Sequence, residues 1–447
     1  MAPDSSPDAT ADPPPVRGHR RQILALAVPA LATLITEPLL LLSDTVVVGL
    51  LGTEPLAGLA IGTSVIMLVV GLSVFLAYGT TATVARQLGA DRPDKALAAG
   101  LDGMALAAVI GSVVGVTLSL TAPVVVSWYN ATAPVSAYAA SYLRILALAT
   151  PAALVMLAAT GVLRGLQDTR TPLWVAIGAN VANIVMNVLF VLVFGWGLPG
   201  AAIGTLISQY AAATVLTVIV IRGARRAGAQ PRLDLGGILR AAKAGSWLLL
   251  RSASLQVATL TATMVATSLG TVALAAHQVT HSVWSVLVMI LDALAIAAQA
   301  LTGHGLGAGD VTSVRRLTAI TTRWGLWVGV ALLVLLIPGH LLIPLVITPD
   351  PAVAELLRGS LLVLGIVAPI GGVVFVLDGV LIGAGDARYL ALAGLIAVAA
   401  YLPLSLLVGW SQAGVAWLWA AWGGYLLARA ATLVLRARGE NWMRLGG

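Results

Sequence analysis

The stretch Gly161-Val-Leu-Arg-Gly-Leu-Gln-Asp-Thr-Arg170 has a counterpart 218 positions further on, Gly379-Val-Leu-Ile-Gly-Ala-Gly-Asp-Ala-Arg388. Glycine, valine, leucine, glycine, aspartate and arginine recur in register. Working outward, the same offset joins Pro151 to Pro369, Leu88-Gly-Ala90 to Leu306-Gly-Ala308, Ser64-Val65 to Ser282-Val283 and Leu51-Gly-Thr53 to Leu269-Gly-Thr271. One offset without a gap over more than 100 residues marks an internal duplication. Toward the C-terminus it shifts, since Gly200 matches Gly414.

Composition says what is duplicated. Of 447 residues, 59% are apolar and 10% charged, with mean hydropathy +0.98. Soluble chains carry about 25% charged residues. The chain is therefore neither disordered nor collagen-like, and it reads as an integral membrane protein. It has no cysteine, so no disulfide framework or thiolate site is open to it.

A transmembrane helix needs about 20 mostly apolar residues. From Ile23 onward twelve such spans follow, at 22–50, 55–84, 96–120, 136–162, 172–194, 199–221, 244–269, 274–300, 315–337, 355–382, 388–408 and 412–436. Residues 1–18, rich in Pro, Asp and Ser, read as a disordered tail, and their acidic start is not that of a signal peptide. The expected fold is an all-α integral membrane protein of twelve transmembrane helices in two six-helix bundles. The N-terminal lobe covers 19–222, a basic linker 223–243, the C-terminal lobe 244–437 and a tail 438–447. An even number of spans per repeat makes the lobes parallel, related by a pseudo-two-fold along the membrane normal, as in transporters.

The net charge of +7 reports orientation. Twenty-two of the 25 Lys and Arg fall on one side of this topology, Arg164 and Arg429 counted among them. The exceptions are Arg144, Arg251 and Arg358. The positive-inside rule then places both termini in the cytoplasm of a cell (inner) membrane protein. Basic loops that obey topology give no reason to infer nucleic-acid binding.

Ionisable residues inside spans cost about 2.5–3.5 kcal/mol each at a helix centre and are functional candidates. They are Glu37, Asp44, Asp102, Arg251, Asp292 and Asp378. Glu37 and Asp44 share one face of the first span, which Pro29 and Pro38 equip to bend. Asn180, Asn183 and Asn187 share one face of the fifth. Counted from the outer ends, Asp44 lies level with Asn187, and Glu37 with Asn180, so the two faces should meet. An isolated carboxyl among amides suits proton coupling; the plainer reading has the asparagines joining neighbouring helices. In the second half Arg251, Asp292 and Asp378 lie toward the inner leaflet and, with Gln278, form a polar set. It reads either as an ion pair between Arg251 and one acid or as a cation or substrate site. His277 reads as a hydrogen-bonded packing residue or as a proton relay. No Walker A motif, zinc pattern or catalytic constellation is present, so no enzyme, cofactor or metal is expected.

Several stretches together carry a resemblance: Glu37-Pro-Leu-Leu-Leu-Leu-Ser-Asp44-Thr, Leu51-Gly-Thr, Arg164-Gly-Leu-Gln-Asp168-Thr-Arg-Thr-Pro172, Asn183-Ile-Val-Met-Asn187, Ala275-Ala-His-Gln278, Leu291-Asp-Ala-Leu-Ala-Ile-Ala-Ala-Gln299 and Leu377-Asp-Gly-Val-Leu-Ile-Gly-Ala-Gly-Asp386. The chain resembles a multidrug and toxic compound extrusion (MATE) transporter of the DinF-like branch over residues 20–436. The resemblance implies a V-shaped cavity between the lobes, and cation-driven export of small amphipathic substrates by a monomer among membrane lipids. The family's first-helix aspartate falls on Asp44, fifteen residues after the bend proline, Pro29. Its fifth-helix polar pair falls on Asn183 and Asn187. Many relatives have an acid at the Asn187 position; its absence favours H+ over Na+ as the coupling ion. Asp378 matches a tenth-helix acid of sodium-coupled relatives, but Arg251 stands in the seventh helix where a companion acid is not evident. Sodium-coupled drug export and a lipid-linked oligosaccharide flippase of the same superfamily are the alternatives.

Overall fold

The computed structural model describes residues 16–229 and 234–445. The first fifteen residues of the expected tail, and Pro231 and Arg232 of the linker, lie outside the described residues. The chain forms α1 (Val16–Gly49), α2 (Thr53–Ser73), α3 (Phe75–Gly89), α4 (Pro93–Ser127), α5 (Ala133–Ala147), α6 (Thr150–Gly165), α7 (Arg170–Asn187) continuing into a π-helical turn (Val188–Val193), α8 (Gly197–Arg226), α9 (Leu235–Ser268), α10 (Thr271–Gly307), α11 (Val311–Ile347), α12 (Pro351–Gly383), α13 (Ala387–Ser411) and α14 (Val415–Arg438).

These helices make twelve crossings in two six-helix bundles. Among the described residues eleven segments are long and apolar enough to span, and the twelfth is the pair α5 and α6, bent by 49°. The break falls just before Pro151, whose ring cannot continue the α5 hydrogen-bond ladder. Several helices outrun the expected spans because polar caps extend them. Asp234 accepts a bond from the Gly236 amide at 2.9 Å, so α9 begins at Leu235 and the linker between helices is shorter than 223–243. Asp310 and Asp350 do the same for α11 and α12. α1 is continuous from Val16, inside the stretch expected to be tail, and runs through Pro29 and Pro38.

The motif that reveals the duplication is a packing device. A Cβ on Gly161 would lie 2.5 Å from the Ala77 carbonyl oxygen, and one on Gly379 would lie 2.3 Å from that of Ala295, the residue 218 positions after Ala77. One turn later Gly165 and Gly383 repeat the contact with the Thr81 and Gln299 carbonyls. Each Gly-x-x-x-Gly thus lays α6 on α3, or α12 on α10, backbone against backbone. In lipid, which is as apolar as the side chains, such close approach drives helix association.

The same device joins the lobes. α3 of the first lobe crosses α10 of the second where Gly89 meets the His304 carbonyl and Gly307 meets the Arg86 carbonyl; an added Cβ would come within 1.9 and 2.0 Å. The two contacts are mates in the 218-residue repeat, so the pseudo-two-fold passes between them. One large apolar core runs through the second lobe and the half of the first nearest the basic ends of the helices. At the opposite end each lobe has its own small cluster. The lobes therefore meet at the basic face and part toward the other. Large apolar side chains face outward, as in Val346 and Leu120, 86% and 76% exposed. Trp128 and Trp410 stand exposed at the ends away from the basic face, where interfacial aromatics belong.

The absence of cysteine makes the lobe contact testable. Ala82 is buried at this seam. An Ala82→Cys reporter should resist maleimide in the otherwise native chain. In a Gly307→Val background its labelling rate should rise several-fold, because the valine side chain forces α3 from α10.

Candidate functional site

In the first lobe the expected meeting of α1 and α7 occurs at the Asp44 level. Asp44 is 4% exposed, and its Oδ1 accepts a bond from Asn187 Nδ2 at 2.5 Å. Asn187 Nδ2 also donates to Asn183 Oδ1 at 3.2 Å, and Asn183 Nδ2 donates to Thr205 Oγ1 on α8 at 2.9 Å. A polar chain thus crosses three helices. Asn187 Oδ1 has no hydrogen-bond partner, and Gly204 leaves room for it: a Cβ there would stand 2.6 Å away. The π-helical turn begins immediately after Asn187. Such local widenings often mark functional positions in helices. Among the described residues no Lys or Arg makes an ion pair with Asp44.

The level below does not pair as expected. Asn180 Nδ2 donates to the Thr36 carbonyl at 2.6 Å, and Glu37 is exposed on α1, outside the Asp44 network. The helices are close enough there for the short amide to reach the backbone first.

In the second lobe Asp378 sits between two arginines. Arg251 Nη2 reaches Asp378 Oδ2 at 2.5 Å and Arg429 Nη2 reaches Oδ1 at 2.6 Å. Arg429 also donates to the Leu390 carbonyl at 3.0 Å and is only 3% exposed. The expected Arg251–acid pair is present, but Arg429, assigned to the cytoplasmic face from sequence, is part of the buried cluster. The sequence signal was its place two turns inside the Arg436–Arg438 end of α14. Two guanidiniums on one carboxylate leave a net positive site, which repels a cation.

The cluster extends across the lobe boundary. The Arg251 guanidinium lies over the Tyr78 ring, 5.7 Å from its centroid. Tyr78 Oη donates to Asp292 Oδ1 at 3.4 Å, and Gln299 Nε2 donates to the Tyr78 carbonyl at 2.9 Å. Tyr78 belongs to α3 of the first lobe, and nothing in its sequence context singled it out. Gln278 does not join the set: it is exposed on α10, fourteen residues and about 21 Å of helix from Asp292. Asp102 accepts a bond from the Asp234 amide at 3.4 Å and so ties the start of α9 to the first lobe. His277 is buried, yet neither ring nitrogen has a hydrogen-bond partner, so it is not a hydrogen-bonded packing residue.

Two parallel lobes joined at one face, with ionisable groups buried in each, define a secondary transporter. The chain belongs to the MatE family, whose model matches it twice, over residues 29–189 and 248–407. The two matches start 219 and end 218 residues apart, in agreement with the internal repeat. The chain is 30% identical to Protein DETOXIFICATION 44, chloroplastic, of Arabidopsis thaliana, over 97% of this chain and 84% of that protein. It is 27% identical to DNA damage-inducible protein F of Escherichia coli, covering 88% and 87% of the two chains. To the multidrug resistance protein NorM of Burkholderia vietnamiensis it is 28% identical, covering 85% and 84%. Among solved structures, the Vibrio cholerae MATE transporter VcmN in the bent form superposes with TM-score 0.86 at 20% identity, over 96% of this chain and 99% of that one. A MOP superfamily transporter from Pyrococcus furiosus gives 0.83 at 18%, over 94% and 95%. The protein is thus a multi-pass MATE-family transporter.

Removing one partner of a buried ion cluster costs about 3–5 kcal/mol, because the remaining charges are stranded. Asp378→Ala should destabilise the protein by that order in detergent unfolding. Replacing all three members by apolar residues of similar size (Asp378→Leu, Arg251→Met, Arg429→Met) should recover most of the loss.

Proposed function

We propose that the protein exports small amphipathic organic compounds, often cations, in exchange for protons that bind Asp44. It sits in the cell membrane with both termini in the cytoplasm, so that the joined face is cytoplasmic and the lobes part outward. The observation that carries the reading is the buried carboxylate held by one amide, with no ion-pair partner among the described residues.

The amide has two faces for the two protonation states. The ionised carboxylate only accepts, and Asn187 meets it with an N–H. Once a proton from the outer phase is taken up, the carboxyl carries an O–H donor, and the Asn187 amide, by turning over, offers it the Oδ1 that now faces Gly204 without a partner. Rearranging this pair changes the contact between α1 and α7. α1 can bend in response because Pro29 and Pro38 have already removed two rungs of its hydrogen-bond ladder. The cavity wall moves, substrate leaves outward, and the lobes rock about the α3–α10 crossing to face inward.

Proton coupling is favoured over sodium by the groups present. A sodium ion needs oxygens around it, whereas Asn187 turns its N–H toward Asp44. The family acid at Asp378 is already neutralised by Arg251 and Arg429. The names of relatives such as NorM and the DETOXIFICATION proteins support drug or toxin export as the cargo class. Both flippase and sodium readings can be separated from this one in liposomes.

Purified protein in liposomes should expel ethidium-like cations under an imposed pH gradient and not under a sodium gradient alone. Asp44→Asn should reduce this transport to the level of empty liposomes while the fold survives. Efflux by Asp44→Asn at the native rate, or turnover of a lipid-linked sugar without any gradient, would sink the proposal.

A further inference from the structure

The repeat carries the Asp44 site into the second lobe and shows what replaced it. At the 218-residue offset Ala262 on α9 stands for Asp44 on α1, and Tyr401 and Ser405 on α13 stand for Asn183 and Asn187 on α7. At the offset set by Gly200 and Gly414, Trp419 and Trp422 on α14 stand for Thr205 and Ser208 on α8. The carboxylate and both amides of the first lobe are gone.

The place is not filled by an inert core. Ala262, Trp419 and Trp422 line a cavity together with Thr259 of α9 and with His277 and His281 of α10. His277 is 2% exposed. Its ring centroid lies 5.6 Å from that of Trp419 and 6.2 Å from that of His281. Tyr401 packs edge-on against Trp422 at 5.7 Å. Both nitrogens of His277 and the indole N–H groups of Trp419 and Trp422 have no hydrogen-bond partner in the protein. Each buried polar group left so costs about 1–3 kcal/mol unless water or a proton serves it. Four such atoms gathered at the mate of a proton site mark this place as more than apolar filling.

The groups that face His277 favour a proton over other cargo. From its own helix comes His281; from α9 Thr259 and Ala262; and from α14 the two indoles with Leu418. Among the described residues no acid lines the cavity, and it holds only about 10 Å³, too little for cargo larger than a proton or a single water. An imidazolium formed in place would lie 5.6 Å from the Trp419 ring centroid, within the roughly 6 Å at which a ring can stabilise a cation.

We infer that His277 forms a second proton-binding site, the counterpart in this lobe of Asp44. A proton from the outer aqueous phase adds to the lone pair of one free ring nitrogen, and the imidazolium returns it to water when the lobes reverse. His281, one turn further along α10 and partly exposed, links the site to solvent. Its part in transport rests on the proton exchange proposed above; its proton binding does not.

The test is proton uptake by the purified full-length protein when the pH is stepped from neutral down past the ordinary histidine range, since burial without a neighbouring acid delays protonation. Native protein, Asp44→Asn, His277→Gln and the double variant are compared. His277→Gln should take up one proton fewer than the native chain, additively with Asp44→Asn, and in liposomes should lower the ratio of protons to substrate without stopping exchange. Uptake equal to native by His277→Gln would overturn the inference. Efflux surviving in Asp44→Asn would instead strike the Asp44 reading alone. Should His277→Gln fail to fold, the tryptophan fluorescence of native protein minus that of Trp419→Phe decides: quenching on acidification supports a neighbouring imidazolium, and a flat difference overturns it.

Discussion

The rest of the structure depends on the crossing of α3 over α10, where Gly89 and Gly307 let two backbones touch. No hydrophobic force draws helices together within lipid, so contact must come from packing at short range and from polar groups that find partners. At this crossing both are present. The glycines remove the side chains that would hold the helices apart. Gln299 then donates to the Tyr78 carbonyl and the Tyr78 hydroxyl to Asp292 across the seam, and Arg251 covers the Tyr78 ring. Because the repeat places the glycines symmetrically, the lobes close at this face and are left free to part at the other.

On this common scaffold the two lobes carry opposite electrostatics. In the first, Asp44 has one amide partner and no cation, so either protonation state can be accommodated by turning the amide. In the second, Asp378 is clamped by two guanidiniums from different helices and serves to hold α9, α12 and α14 together. A buried acid is costly in either case. What differs is how the cost is met: by opposite charge at Asp378 and by a neutral amide neighbour at Asp44. The two acids are not repeat mates: at the 218-residue offset Asp44 corresponds to Ala262 and Asp378 to Thr160.

Much of this was readable in the chain. The 218-residue offset, the twelve apolar spans and the depth match of Asp44 with Asn187 all follow from spacing, because a helix rises uniformly and a membrane fixes its length. Other residues escaped it for definite reasons. Arg429 lies so near the basic end of α14 that its charge looks topological; only packing shows it turned inward to Asp378. Tyr78 sits in an ordinary apolar run, and its importance arises from the opposite lobe. Gln278 and Glu37 are polar and within spans, but they face away from the clusters. Spacing tells which residues share a face and not which way the face turns.

The sequence by itself determined the membrane class, the duplicated plan, the basic side and the isolation of Asp44, since these depend on composition and on regular helical spacing. The tertiary structure alone decided which charges pair, where the lobes touch and that the second-lobe mate of Asp44 is a cavity of histidines and indoles. Those outcomes depend on the rotation and lateral placement of each helix, and these are set by contacts between residues far apart in the chain.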